Sequence, residues 1–180
     1  QTDFPPEEFR ARWNAVFDRI GGGAVAVAQG APLADGFALP RQSNTFYYLT
    51  GVESPGAALL LDGRTRRATL YLPPRNERLE RNEGKVLSAE DAELARRLTG
   101  ADQVASTAEM GTAWPAGDAK VDLYAETAPA EGHAQSRYEL KAAATAIAAE
   151  PWDGRLPRET RFVELLRLRN PRATMRDLTP

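Results

Sequence analysis

Ala57-Ala58-Leu59-Leu60-Leu61-Asp62-Gly63-Arg64-Thr65-Arg66-Arg67-Ala68-Thr69-Leu70-Tyr71-Leu72 decides the fold class of this chain. The apolar runs Ala57–Leu61 and Ala68–Leu72 are too short for helices and are bounded by turn formers, so both read as buried strands. Asp62-Gly63 between them is hairpin chemistry, and Arg64 to Arg67 lengthen the connection beyond the tightest two-residue type. Pro73-Pro74 closes the second run, because proline has no N–H to give a strand ladder.

Upstream, Pro5 opens a helical pattern, a position with no helix bond to lose. Phe9, Trp13, Val16, Phe17 and Ile20 recur at helical spacing and form one broad apolar face. Gly21-Gly22-Gly23 stops that helix, and Ala24–Ala28 follows as a short buried strand. The triple glycine is a turn and not a phosphate cradle, since a cradle follows a strand and precedes a helix, the reverse of the order here. Downstream, Arg75 to Lys85 shows no apolar period and reads as a solvated loop. Ser88 and Asp91 form a capping box ahead of a helix whose buried side is Leu94 and Leu98, ended by Gly100.

A short strand is expected at Asp102–Val104, a short helix at Thr107–Trp114 and a half-exposed strand at Lys120–Ala125. Ser136 and Glu139 make a further capping box before an alanine-rich helix that stops at Pro151. Phe162, Val163, Leu165 and Leu166 mark a last helix, ended by Asn170-Pro171, and Ala173–Leu178 reads as a final strand. Helices and strands interleave with a hairpin among the crossovers and no repeat of fixed period. The fold class is therefore α/β, a mixed β-sheet flanked by helices.

The composition fits one soluble domain: 180 residues, 42% hydrophobic and 27% charged, with net charge -2 and a pI near 5.6. Such a balance excludes the basic excess that nucleic acid demands, and no apolar run reaches the roughly 20 residues of a membrane span. No cysteine is present, so disulfides, thiolate metal sites and thiol nucleophiles are all excluded. One histidine, His133, sits in Glu131-Gly132-His133 just ahead of a helix start and reads as solvated, because a catalytic base needs a partner. Asp118 and Asp122 lie near one strand, but residues four apart there are about 13 Å apart, too far to share one ion. A metal-dependent nuclease would need several convergent carboxylates, and no such set is visible. Gln1 as first residue fits a boundary within a longer chain or a mature end after signal-peptide removal, and it leaves the compartment open.

The densest cluster of potential function is Arg41-Gln42-Ser43-Asn44-Thr45-Phe46-Tyr47-Tyr48-Leu49-Thr50-Gly51. Phe46 and Leu49 read as core anchors, with one of the tyrosines turned outward. This segment, followed by Val52-Glu53-Ser54-Pro55-Gly56 and the aliphatic strand, closely resembles the amino-terminal domain of aminopeptidase P (Xaa-Pro aminopeptidase). In that family an R-Q-x-x-x-F-x-Y-x-T-G segment leads into such a strand. The opening helix, the strand at Ala24–Ala28 and Leu70-Tyr71-Leu72-Pro73 fall where the family has the same elements. The resemblance is close from Phe4 to Val104 and holds only in general order beyond.

The resemblance implies a ribonuclease H-like α/β domain, residues 1–180, without catalytic residues of its own. It also implies a carboxy-terminal pita-bread domain after Pro180, holding two divalent metals, commonly manganese, that cleaves the bond before a penultimate proline. The present chain alone is then expected to be inactive and to hold no metal. Its implied partners are its own catalytic domain, further copies in a homo-oligomer, and a peptide with proline in second place. Within the segment, Tyr47 matches the family position that reaches a neighbouring subunit's active site, with Arg41 and Asn44 holding or flanking the loop. Ser43-Asn44-Thr45 replaces the common asparagine-serine-aspartate order, so a carboxylate is missing at Thr45. Prolidase and creatinase share the architecture and stand as alternatives, as does a stand-alone binding module without the enzyme. Residues 128–161 receive no role.

Overall fold

The computed structural model describes residues 3–31, 42–110, 121–125 and 158–178. Helix α1 (Pro6–Ile20) begins with proline in its first turn and with Glu7 and Glu8 beside the positive end of its dipole. Phe9, Trp13 and Phe17 recur every fourth residue and are buried along one stripe. Complete burial of one such side chain stabilises by about 1.5–3 kcal/mol, so this stripe fixes how α1 lies on the sheet. Strand β1 (Ala24–Gln29) follows the glycine turn and is covered on both faces, which accounts for its unbroken apolar run.

The remaining elements are α2 (Asn44–Thr50), β2 (Ala58–Asp62), β3 (Arg67–Leu72), α3 (Glu77–Glu83), α4 (Ala92–Thr99), β4 (Gln103–Ser106), β5 (Asp122–Ala125), α5 (Arg158–Arg169) and β6 (Thr174–Asp177). The sheet runs β4-β3-β2-β1-β5-β6 and is mixed. β1 with β2 and β2 with β3 pair antiparallel, whereas β3 with β4, β1 with β5 and β5 with β6 pair parallel. Ala26 opposite Leu61 and Leu61 opposite Ala68 put one set of side chains under α1, α2 and α4. The alternate set, Val25, Val27, Leu60, Tyr71 and Leu123, packs with Val163 and Leu166 of α5. Period-two alternation thus supplies both cores from the same strands. Among the described residues no helix is long and apolar enough to cross a membrane.

The hairpin forms as its sequence requires. The Asp62 carboxylate accepts from the Arg64 N–H at 2.9 Å and from its guanidinium at 2.7 Å. Gly63 has no room for a side chain: a Cβ there would lie 2.3 Å from the Gly21 carbonyl oxygen and 2.9 Å from that of Ala24. The turn after α1 and the hairpin turn therefore rest directly on each other, backbone on backbone.

Two sequence expectations are corrected. Arg75–Lys85 contains α3 instead of only a solvated loop. Asn76 caps it by accepting from Leu79 N–H at 3.1 Å, and Glu77 and Glu80 sit in its first turn with Arg81 in its last. Capping and charge order, without an apolar period, are enough there. In α4 the buried positions are Ala95 and Thr99, while Leu94 is exposed and Leu98 only half-buried. The helix approaches α1 closely, with Gly100 against Pro6, so small residues take the contact and the leucines are pushed to its rim.

The Ser88–Asp91 box is present, opening a 3-10 turn (Ala89–Asp91) that leads into α4. Thr107–Glu109 is likewise a 3-10 turn, capped by Ser106, and residues 111–114 of the helix expected there lie outside the described residues. Asp118, His133, the Ser136–Glu139 box and the alanine-rich helix also fall outside them.

α2 and α4 end in the same way. Leu49-Thr50-Gly51 and Leu98-Thr99-Gly100 both place glycine in the left-handed conformation (φ 62° and 73°). In each, the buried threonine hydroxyl donates to the carbonyl four residues earlier, Phe46 or Ala95, at 2.8 Å. The same oxygen accepts from the amide two residues later, Val52 at 3.1 Å or Ala101 at 3.2 Å.

Candidate functional site

The segment Gln42–Gly51 is bound to the domain from behind. The Gln42 side-chain oxygen accepts from the Ala31 N–H at 2.5 Å and the Ser43 N–H at 2.9 Å, and its amide nitrogen donates to the Ser54 carbonyl at 3.2 Å. Ser43 then caps α2, its hydroxyl accepting from Phe46 N–H at 3.5 Å. Phe46 and Leu49 point into the core, as the sequence implied. Carbonyls near the end of α2 are taken by α1: Trp13 Nε1 donates to the buried Leu49 O at 2.8 Å, and Arg12 donates to Tyr48 O. Burial of Trp13 without that bond would leave a desolvated indole N–H, so the contact fixes both helices.

What this scaffold turns outward is polar and aromatic. Asn44 is exposed at the first position of α2 and Tyr47 is half-buried one turn later, so the two share a helix face. Tyr48 is the more open tyrosine, with 58% of its surface exposed. Its ring lies 4.2 Å from the Arg12 guanidinium, which also lies 4.6 Å from the Phe4 ring and 5.5 Å from that of Phe9. Glu8 holds Arg12 from the other side at 3.0 Å. The Tyr47 hydroxyl donates to Asp3 Oδ2 at 2.8 Å. That hydrogen bond raises the phenol above its ordinary value; burial and the charges of Asp3 and Glu53 add to it.

Of the residues singled out in the sequence, Asn44 and Tyr47 are brought together, and Arg41 lies outside the described residues. Asp3, Arg12 and the Gln42 amide were not legible as contributors. The partners of Gln42 are backbone groups, and Asp3 meets Tyr47 across 44 positions of sequence. Among the described residues there is no group of three or more histidine, cysteine or acidic side chains placed to hold a metal ion. The arrangement can present aromatic and amide surface to a ligand.

A mixed sheet of this order, with helices packed on both faces, defines an α/β domain. The chain belongs to the aminopeptidase P family, whose N-terminal domain matches residues 9–124. Comparison with curated proteins gives no match. Among solved structures, one described as an aminopeptidase P from Bacillus anthracis has TM-score 0.69 at 18% identity, covering 98% of this chain and 39% of that one. A histidine-to-alanine variant of Escherichia coli aminopeptidase P has TM-score 0.61 at 22% identity, covering 99% and 38%. The Escherichia coli enzyme with the inhibitor Pro-Leu has TM-score 0.57 at 21% identity, covering 86% and 35%. The chain thus spans under two fifths of the length of these proteins, and at such identities the likeness is one of fold.

Proposed function

We propose that this chain is the amino-terminal, non-catalytic domain of a metal-dependent Xaa-Pro aminopeptidase. On this proposal Asn44 and Tyr47 face a peptide held in the catalytic domain of a neighbouring subunit, a role the family motif extends to Arg41. The observation that carries it is the family match over residues 9–124, which includes all of α2. The geometry is in keeping: α2 is tied down by buried groups on one side and offers tyrosine rings on the other. Proline and the residue before it present apolar surface that an aromatic ring covers well. On the same proposal the two divalent metals belong with a following domain; among the described residues no group of three or more histidine, cysteine or acidic side chains is placed to hold them, and no step through them is derived from this one.

The test is hydrolysis of an Xaa-Pro-Xaa peptide with manganese, comparing this chain with the longer gene product. Activity in the longer protein alone is the expected result. Tyr47→Ala in that protein should raise KM while fold and oligomeric state are kept. Unchanged kinetics in a folded Tyr47→Ala oligomer would remove the gating role.

A further inference from the structure

We propose that Asp3 is a positioning residue, a latch that holds the Tyr47 ring in one orientation on the outer face of α2. The inference rests on the substrate-facing role proposed for Tyr47 and adds a residue to it from outside the motif.

The support is a relay of contacts that aims Asp3. Phe9 is fully buried in α1 and meets the ring of Phe4 edge to face, centroids 6.3 Å apart. The other support of Phe4 is the Arg12 guanidinium, itself fixed by Glu8 and by the Tyr48 carbonyl. Phe4 is 43% exposed, so hydrophobic burial alone accounts poorly for its place; stacking on Arg12 and Phe9 accounts for it better. With Phe4 held, the carboxylate of Asp3 reaches the Tyr47 hydroxyl at 2.8 Å. Arg12 at the same time covers one face of Tyr48, so a single guanidinium steadies both the amino-terminal segment and the neighbouring tyrosine.

This geometry has a consequence for recognition. The hydroxyl of Tyr47 is occupied by Asp3, so the residue offers its ring to a ligand and not its polar tip. A phenylalanine at position 47 would keep the ring and lose the latch. Losing the latch frees rotation about two side-chain bonds, and an unheld ring binds less well because its ordering must then accompany binding.

The experiment has two arms. In the first, 13C-labelled tyrosines are titrated by NMR in wild type, Asp3→Asn and Asp3→Ala, with Tyr47→Phe used to assign the signal. The Tyr47 phenol should titrate highest in wild type, lower in Asp3→Asn, which keeps an acceptor oxygen without the charge, and lowest in Asp3→Ala. A titration indifferent to Asp3→Ala overturns the latch. In the second arm the longer gene product is assayed on an Xaa-Pro-Xaa peptide. Asp3→Ala and Tyr47→Phe should each raise KM roughly three- to tenfold, the cost of ordering one freed side chain on binding. With kcat little changed, Asp3→Asn should recover most of the loss, and the double variant should be no worse than either single one. Wild-type kinetics in Asp3→Ala, beside impaired kinetics in Tyr47→Ala, sinks the positioning role and leaves the domain's proposed function standing. Unchanged kinetics in a folded Tyr47→Ala oligomer instead sink the substrate-facing role of Tyr47, and the NMR arm still decides the latch.

Discussion

Replacing Gln42 by methionine keeps the length of the side chain and removes only its amide, so it isolates three hydrogen bonds. Two of them satisfy the N–H groups of Ala31 and Ser43, residues that are 7% and 3% exposed. A buried donor stripped of its acceptor costs about 1–3 kcal/mol, against a near-neutral loss when both partners vanish together. Gln42 is itself half-buried, and water can reach part of the site, which places the sum for both donors at about 2–4 kcal/mol. For a domain of this size each kcal/mol shifts the midpoint by roughly 2–4 °C, so Gln42→Met should melt about 5–15 °C lower. Circular dichroism melting measures this directly, and urea unfolding should show a lower midpoint with an unchanged slope. A melting point within about 2 °C of wild type would refute the assignment of Gln42 as the tie between β1 and α2.

Two further predictions concern stability. Gly63→Ala forces a methyl group against the carbonyls of Gly21 and Ala24, backbone atoms that cannot swing aside, and should destabilise by at least about 1–3 kcal/mol; a variant as stable as wild type in urea would show that the two turns are not in contact. Asp91 accepts from the Ser88 hydroxyl at 2.7 Å and the Arg75 guanidinium at 2.8 Å. The serine bond, against the opposing effect of burial and with help from Arg75, holds its carboxyl well below the ordinary range. A depressed folded-state value means stability present above the unfolded value, near pH 4, and lost as pH falls below it. Asp91→Asn should therefore be less stable than wild type at pH 7, with the gap closing below about pH 4; a gap independent of pH would show that the carboxylate's charge contributes nothing.

The parts of the fold that were legible are those written in local chemistry. Proline at the start of α1, its aromatic stripe and the glycine stop are all present in the structure. The two runs around Asp62-Gly63 pair with each other as expected. α3 escaped because an exposed helix held by an asparagine cap and end charges has no apolar rhythm to detect. In α4 size counted for more than hydrophobicity: the closest approach to α1 went to alanine and threonine, and the leucines yielded it. At the candidate site the inward anchors Phe46 and Leu49 were legible from the apolar and aromatic cluster they belong to, whereas the helix α2 that carries them was not. The distinction between Tyr47, held by Asp3, and Tyr48, covered by Arg12, could not be read there, since it depends on residues 44 and 36 positions away.

The paired threonine-glycine endings of α2 and α4 carry a consequence for how the chain finds its fold. Each ending is complete within the span from Phe46 to Val52 or from Ala95 to Ala101, so its ring closures carry the smallest entropic cost. The direction in which the backbone leaves each helix is thereby set by neighbours in sequence, before any distant strand has arrived. Val52 and Ala101, the residues receiving that direction, both end up in the core. Parallel pairings such as β1 with β5 bring together segments almost a hundred residues apart and belong to the slow, topology-limited part of the search. Two locally closed corners shorten that search by delivering β2 and β4 already turned toward the sheet.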